Sequence, residues 1–78
     1  MIDKLTIDQA VDIAIRNTYL LYMGMDTYEN IINSDYPIFI HDINNNITDE
    51  DIEFMIAYFE TTEEYEKCLD LKKRMNEI

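Results

Sequence analysis

The chain holds one glycine, Gly24, and one proline, Pro37, in 78 residues. A sheet of this size needs several tight turns, and those turns draw on both residue types. Helices need neither in their interiors, so the scarcity predicts an all-α fold. The length allows one domain at most. A chain this short buries only about 60% of the surface that its unfolded form exposes, so its stability is expected to be marginal. Hydrophobic content of 47%, with 13 isoleucines and nine aromatics, is still ample for a core. Disorder requires low hydrophobicity beside high charge, and only the second condition is met.

Helical periods and cap signals divide the chain into about four helices. Thr6-x-x-Gln9 is a capping box. It opens a run with Ile7, Ala10, Val11, Ala14, Ile15 and Thr18 at helical spacing. That helix spans about 7–23 and stops at Gly24, a suitable residue just past a helix end. Asp26-x-x-Glu29 offers a second cap, for a short helix near 27–33. Pro37 keeps Tyr36 out of the helical region, so 34–43 is an extended stretch or a single turn packed inward. Thr48 caps a helix over 49–60 that carries Ile52, Met55, Ile56 and Phe59, with Ile47 stapled onto Ile52. Thr61-x-x-Glu64 caps a last helix over 63–77, turning Tyr65, Cys68, Leu69, Leu71, Met75 and Ile78 inward. Two helices joined by about two residues fold back antiparallel. The expected architecture is a small helical bundle whose C-terminal hairpin packs on the first helix.

Net charge is −11, and its distribution is uneven. From Asn17 to Glu66 there are 12 acidic residues and no lysine or arginine, while Lys67, Lys72, Lys73 and Arg74 lie in the last helix. Such a field repels nucleic acid and anionic membranes and attracts basic protein surfaces. Direct nucleic-acid or membrane binding is therefore not expected. The single cysteine, Cys68, excludes an internal disulfide and fits a reducing compartment. "MIDKLTIDQ" lacks the apolar core of a signal peptide, and no apolar run approaches the ~18 residues of a membrane span. A soluble cytoplasmic protein is expected.

One stretch suggests metal chemistry. In "HDINNNITDEDIE", Asp42, Asn44, Asn46, the Thr48 carbonyl, Glu50 and Glu53 fall where an EF-hand loop places its oxygen ligands. The sixth position should be glycine, for a sharp turn, and is Ile47; the eighth is usually apolar and is Asp49. A simpler reading needs no calcium. Asn44, Asn45 and Asn46 form a turn, Ile47 is the staple, and the carboxylates decorate a helix start. Elsewhere the chemistry is sparse. His41 and Cys68 are the only histidine and thiol, and zinc wants three or four nitrogen or sulfur ligands. No glycine-rich phosphate loop is possible with one glycine. Neither enzymatic activity nor a cofactor is expected.

The acidic surface and the tyrosines point instead to binding. Six tyrosines exceed what a core of this size holds easily, and tyrosine is favoured at interfaces. Asp49, Glu50, Asp51, Glu53, Glu60, Glu63 and Glu64 are the candidate carboxylates for a partner with a basic surface, joined by Tyr22, Tyr28 and Tyr58. Carboxylates at phosphate-like spacing can also imitate nucleic acid. The plain alternative is a solvated acidic surface that serves solubility. The apolar end of the first helix, "YLLYMGM", is a candidate homodimer contact.

The stretch "DIEFMIAYFETTEEYEKCLDLKKRM", 25 of the 78 residues, resembles helical hairpins in small acidic proteins of large tailed, T4-like bacteriophages. "MIAYFE" and "EEYEKCLDL" carry the likeness. The stretch is also distantly similar to the UVR motif, a helical hairpin for protein–protein contact in nucleotide-excision repair proteins. Tyr65-Glu66-Lys67 fits that motif. Cys68-Leu69 replaces its two alanines, and Lys72-Lys73 stands where Arg-Asp belongs. The resemblance implies a small, non-enzymatic, phage-encoded protein that inhibits or redirects a host protein.

Overall fold

A computed structural model describes residues 4–77. Among them are four α-helices and no strand: α1 (Ile7–Tyr22), α2 (Tyr28–Ile32), α3 (Asp49–Thr61) and α4 (Tyr65–Met75). The protein is all-α, as the scarcity of glycine and proline predicts. The chain divides into two compact units, Met1–Ile40 and His41–Ile78.

In the first unit, α1 opens with the expected capping box. The Gln9 N–H donates to the Thr6 hydroxyl at 3.1 Å, and the Thr6 N–H donates to the Gln9 side-chain carbonyl at 3.0 Å. The helix ends where Gly24 takes φ 72°. There the Gly24 N–H donates to Leu21 O at 3.1 Å and the Met25 N–H to Leu20 O at 2.9 Å, which is a Schellman turn. The buried side of α1 is Ala14, Ile15, Thr18 and Tyr19. Ile7 is 83% exposed and Val11 38%, so the expected stripe is inward only in its second half.

The reason lies in residues 36–40, which form an extended strap tied to that second half. Asn17 Nδ2 donates to Tyr36 O and to Ile38 O, both at 3.0 Å. The Ile40 N–H donates to the fully buried Thr18 hydroxyl at 3.1 Å. A tight turn centred on Pro37, from the Ile38 N–H to Tyr36 O at 2.9 Å, bends the strap onto the helix. The cap of α2 is Thr27, not Asp26. The Thr27 hydroxyl accepts from the Asn30 N–H at 3.2 Å, while the Asp26 carboxylate accepts from the Thr27 N–H and Asn30 Nδ2. Thr27 holds the extended backbone that a cap needs, so the helix begins one residue later than the Asp26 spacing implies.

The second unit is the expected helical hairpin. Its first helix starts at a reciprocal cap: the Asp51 N–H donates to the Thr48 hydroxyl at 3.1 Å, and the Thr48 N–H to Asp51 Oδ2 at 2.9 Å. Asp49, Glu50 and Asp51 sit at the positive end of the α3 dipole, and Lys72, Lys73 and Arg74 at the negative end of α4. Inward go Ile52, Met55 and Phe59 from α3, with Cys68 and Leu71 from α4. Contacts step in opposite directions along the pair. Lys67 Nζ lies 5.9 Å from the centre of the Phe59 ring, and Cys68 Sγ donates to Ile56 O at 3.4 Å.

Three expectations for α4 need correction. Thr61 does not cap it: Thr61 is the last residue of α3 and its hydroxyl donates to Tyr58 O at 2.6 Å. The N-cap is Glu64, which makes no side-chain capping bond. Between them Glu63 takes φ 61°, with its N–H on Glu60 O at 3.2 Å and the Glu64 N–H on Phe59 O at 2.8 Å. This is the turn seen at Gly24, here formed without glycine. Tyr65 and Leu69 are 58% and 65% exposed rather than inward. With Cys68, Leu71 and the half-buried Met75 defining the inner face, helical geometry rotates those two about a quarter to a third of a turn away. Ile78 lies outside the described residues.

Candidate protein-docking surface

With Ile52, Met55 and Phe59 inward, the 3.6-residue period leaves Glu50, Glu53, Phe54 and Ala57 exposed on the opposite face of α3, with Asp49 and Glu60 exposed on its flank. Glu63 continues this set into the turn. The structure thus brings five of the seven expected carboxylates into one exposed series. The other two are engaged by their own chain. Asp51 closes the cap with Thr48. Glu64 pairs with Lys67 at 3.1 Å and accepts the Thr62 hydroxyl. An open hollow of about 340 Å³ lies beside it, lined by Glu63, Glu64, Tyr65, Glu66 and Lys67.

The expected tyrosines are dispersed. Tyr58 is half-buried on α3 and meets Phe59 edge-on, with ring centres 5.7 Å apart. Tyr22 and Tyr28 belong to the first unit. Tyr22 is half-buried, and Tyr28 is 37% exposed with its ring edge-on to Phe39 at 5.5 Å. Sequence reasoning missed Phe54, which is 51% exposed amid the carboxylates. Its signal was present, since Phe54 is an apolar residue off the Ile52–Met55–Phe59 stripe. The outer face of α4 has a different character, with Tyr65 and Leu69 followed by the exposed Lys72 and Lys73.

Residues 42–53 form a turn followed by a helix. The Asp42 carboxylate accepts from the Asn44 N–H at 2.9 Å and from Asn45 Nδ2 at 3.3 Å, and Asp42 O accepts from the Asn45 N–H at 2.9 Å. The Thr48 carbonyl accepts from the Ile52 N–H at 3.1 Å, the first bond of α3. Among the described residues no group of three or more His, Cys, Asp or Glu is placed to hold a metal ion.

Cys68 is 4% exposed, and its thiol is pushed above its ordinary pKa, first by burial and then by the Glu60 and Glu64 carboxylates. Lys72 and a backbone hydrogen bond pull the other way without reversing the shift. The thiol is thus kept neutral and inward, as in a small core residue. No helix among the described residues is long and apolar enough to cross a membrane. No family model, curated protein or solved structure matches the chain.

Proposed function

We propose that the protein is a non-enzymatic binding module that docks on a basic protein surface through the outer face of α3. One observation carries the reading: Glu50 and Glu53 share an exposed helix face with Phe54, and Asp49 and Glu60 are exposed along its flank. Carboxylates steer the encounter, and an aromatic among them supplies apolar contact once water is expelled. Spaced carboxylates on a rigid helix also imitate a phosphate backbone, which favours a partner that handles nucleic acid. The resemblance of residues 51–75 to hairpins of phage proteins adds the setting. On that basis the protein is phage-encoded, acts in the host cytoplasm, and inhibits or redirects a host or defence protein.

Tagged protein exposed to bacterial lysate tests this directly. At low salt it retains a basic, nucleic-acid-handling protein, and retention falls steeply as salt rises. Glu50→Lys, Glu53→Lys and Glu60→Lys together abolish capture while the helical circular dichroism stays unchanged. An affinity that stays flat up to about 0.5 M salt, where the Debye length is only a few ångströms, rules out steering by the acidic face.

A further inference from the structure

We infer that the outer face of α4 seats α3 of a second copy of this chain. The two surfaces are complementary in composition and in order. Along α3 the carboxylates Glu50 and Glu53 come first, followed by Phe54 and Ala57. Along α4 the apolar Tyr65 and Leu69 come first, followed by Lys72 and Lys73. All eight are exposed, and Phe54, Tyr65 and Leu69 are each more than half so.

An antiparallel pairing satisfies both orders at once. Glu50 and Glu53 of one copy meet Lys73 and Lys72 of the other, Phe54 lies against Leu69, and the small Ala57 leaves room for the Tyr65 ring. A parallel pairing would set the carboxylates on Tyr65 and Leu69 and leave the lysines on apolar side chains. Antiparallel helices also place opposite dipole ends together. Each copy supplies both faces, so the contact needs no second species.

Self-pairing has a salt signature opposite to that of docking on a basic partner. Two copies of net charge −11 repel at long range. At about 0.15 M salt the Debye length is about 8 Å, so that repulsion is screened while close ion pairs survive. Association therefore strengthens between low and physiological salt. The inference stands independently of the proposed docking, but it uses the same acidic face, so self-pairing hides that face from a partner.

Sedimentation equilibrium on the full chain, from micromolar to millimolar concentration at physiological salt, tests it. The mass is expected to rise above the 9.4 kDa of one chain. Lys73→Glu and, separately, Leu69→Glu raise the dissociation constant by about tenfold or more, a loss of about 1.4 kcal/mol. Combining Glu50→Lys with Lys73→Glu restores association to near the unmodified level, which a merely structural effect would not do. These positions are exposed, and circular dichroism verifies folding of each variant. Lys73→Glu with its charge-swap partner tests the contact even if Leu69→Glu misfolds. A mass fixed at one chain overturns the inference, as does association that Lys73→Glu leaves unchanged. Neither result bears on capture of a basic protein at low salt.

Discussion

The strap at 36–40 and helix α4 have corresponding roles in their two units, each lying along a longer helix, but they are held by different means. Hydrogen bonds from Asn17 and to Thr18 tie the strap to α1. Helix α4 is held to α3 by apolar surface, with Phe59, Met55 and Leu71 fully buried. Hydrogen bonds of this kind are discrete, so the strap leans heavily on two side chains, with the Phe39 ring set edge-on to Tyr28 as an added contact. An apolar stripe is spread over several, and each contributes in proportion to the area it removes from water.

Phe59→Ala should have the largest effect, costing about 3–5 kcal/mol through lost transfer energy and a residual cavity. In a chain this small that is enough to melt the hairpin, and thermal unfolding followed by far-ultraviolet circular dichroism would show it. Thr18→Val keeps the shape but leaves the Ile40 N–H without its acceptor, at a cost of about 1–3 kcal/mol. Amide exchange at Ile40 should then accelerate while the amides of α3 and α4 stay protected. Equal acceleration in both units would mean that the strap and the hairpin do not differ in the way described.

The two Schellman turns sharpen the comparison. A Cβ on Gly24 would meet no heavy atom within 4 Å, so Gly24→Ala pays only for backbone in the left-handed region, roughly 1 kcal/mol. Glu63→Gly relieves the same strain at the other turn and should stabilise by up to about 1 kcal/mol, the opposite sign for the same geometry. Urea midpoints of the two variants should move in opposite directions. That glutamate is also the one carboxylate of the docking series placed in the turn, so its variant should bind a basic partner slightly less well while folding better.

The smallest effect concerns Cys68. Its folded pKa is raised, so the stability it contributes is fully present below the unfolded value near 9.0 and is lost as pH rises through the folded one. Stability measured across this alkaline range should fall less steeply in Cys68→Ala than in the unmodified protein. A thiol reagent should also modify Cys68 more slowly in the folded chain than in urea.

Local chemistry was legible in the sequence. Thr6 with Gln9, Thr48 before its acids, and Gly24 after an apolar run each act within a few residues, and each stands where its pattern implies. Two boundaries were misread because cap residues compete with their neighbours. Asp26 and Thr27 can both cap, and only backbone angles choose between them. Thr61 looks like a cap because nothing marks Glu63 as left-handed. The strap was legible only as an extended stretch or inward turn around Pro37, and its fastening was not. Asn17 and Thr18 read as ordinary helix positions, and their partners lie 19–22 residues away with no pattern to announce them. For the docking face, composition identified the carboxylates, but only the fold separates those facing outward from Asp51 and Glu64, which serve their own chain.

The strap's fastening also sets an order of events. Its hydrogen bonds close a ring of about 20 residues onto two neighbouring side chains whose directions are fixed only once α1 has formed. Fixing each strap residue costs about 1–2 kcal/mol of backbone entropy, and each bond offsets about 0.5–1.5 kcal/mol of that. The local helices and the hairpin turn should therefore form early, and the strap should dock late. In the folded protein it should be the element that detaches first, briefly baring Thr18 and the Pro37–Ile40 backbone while the helices stay intact. Partial proteolysis under native conditions should accordingly cut between Ser34 and His41 before it reaches α3 or α4.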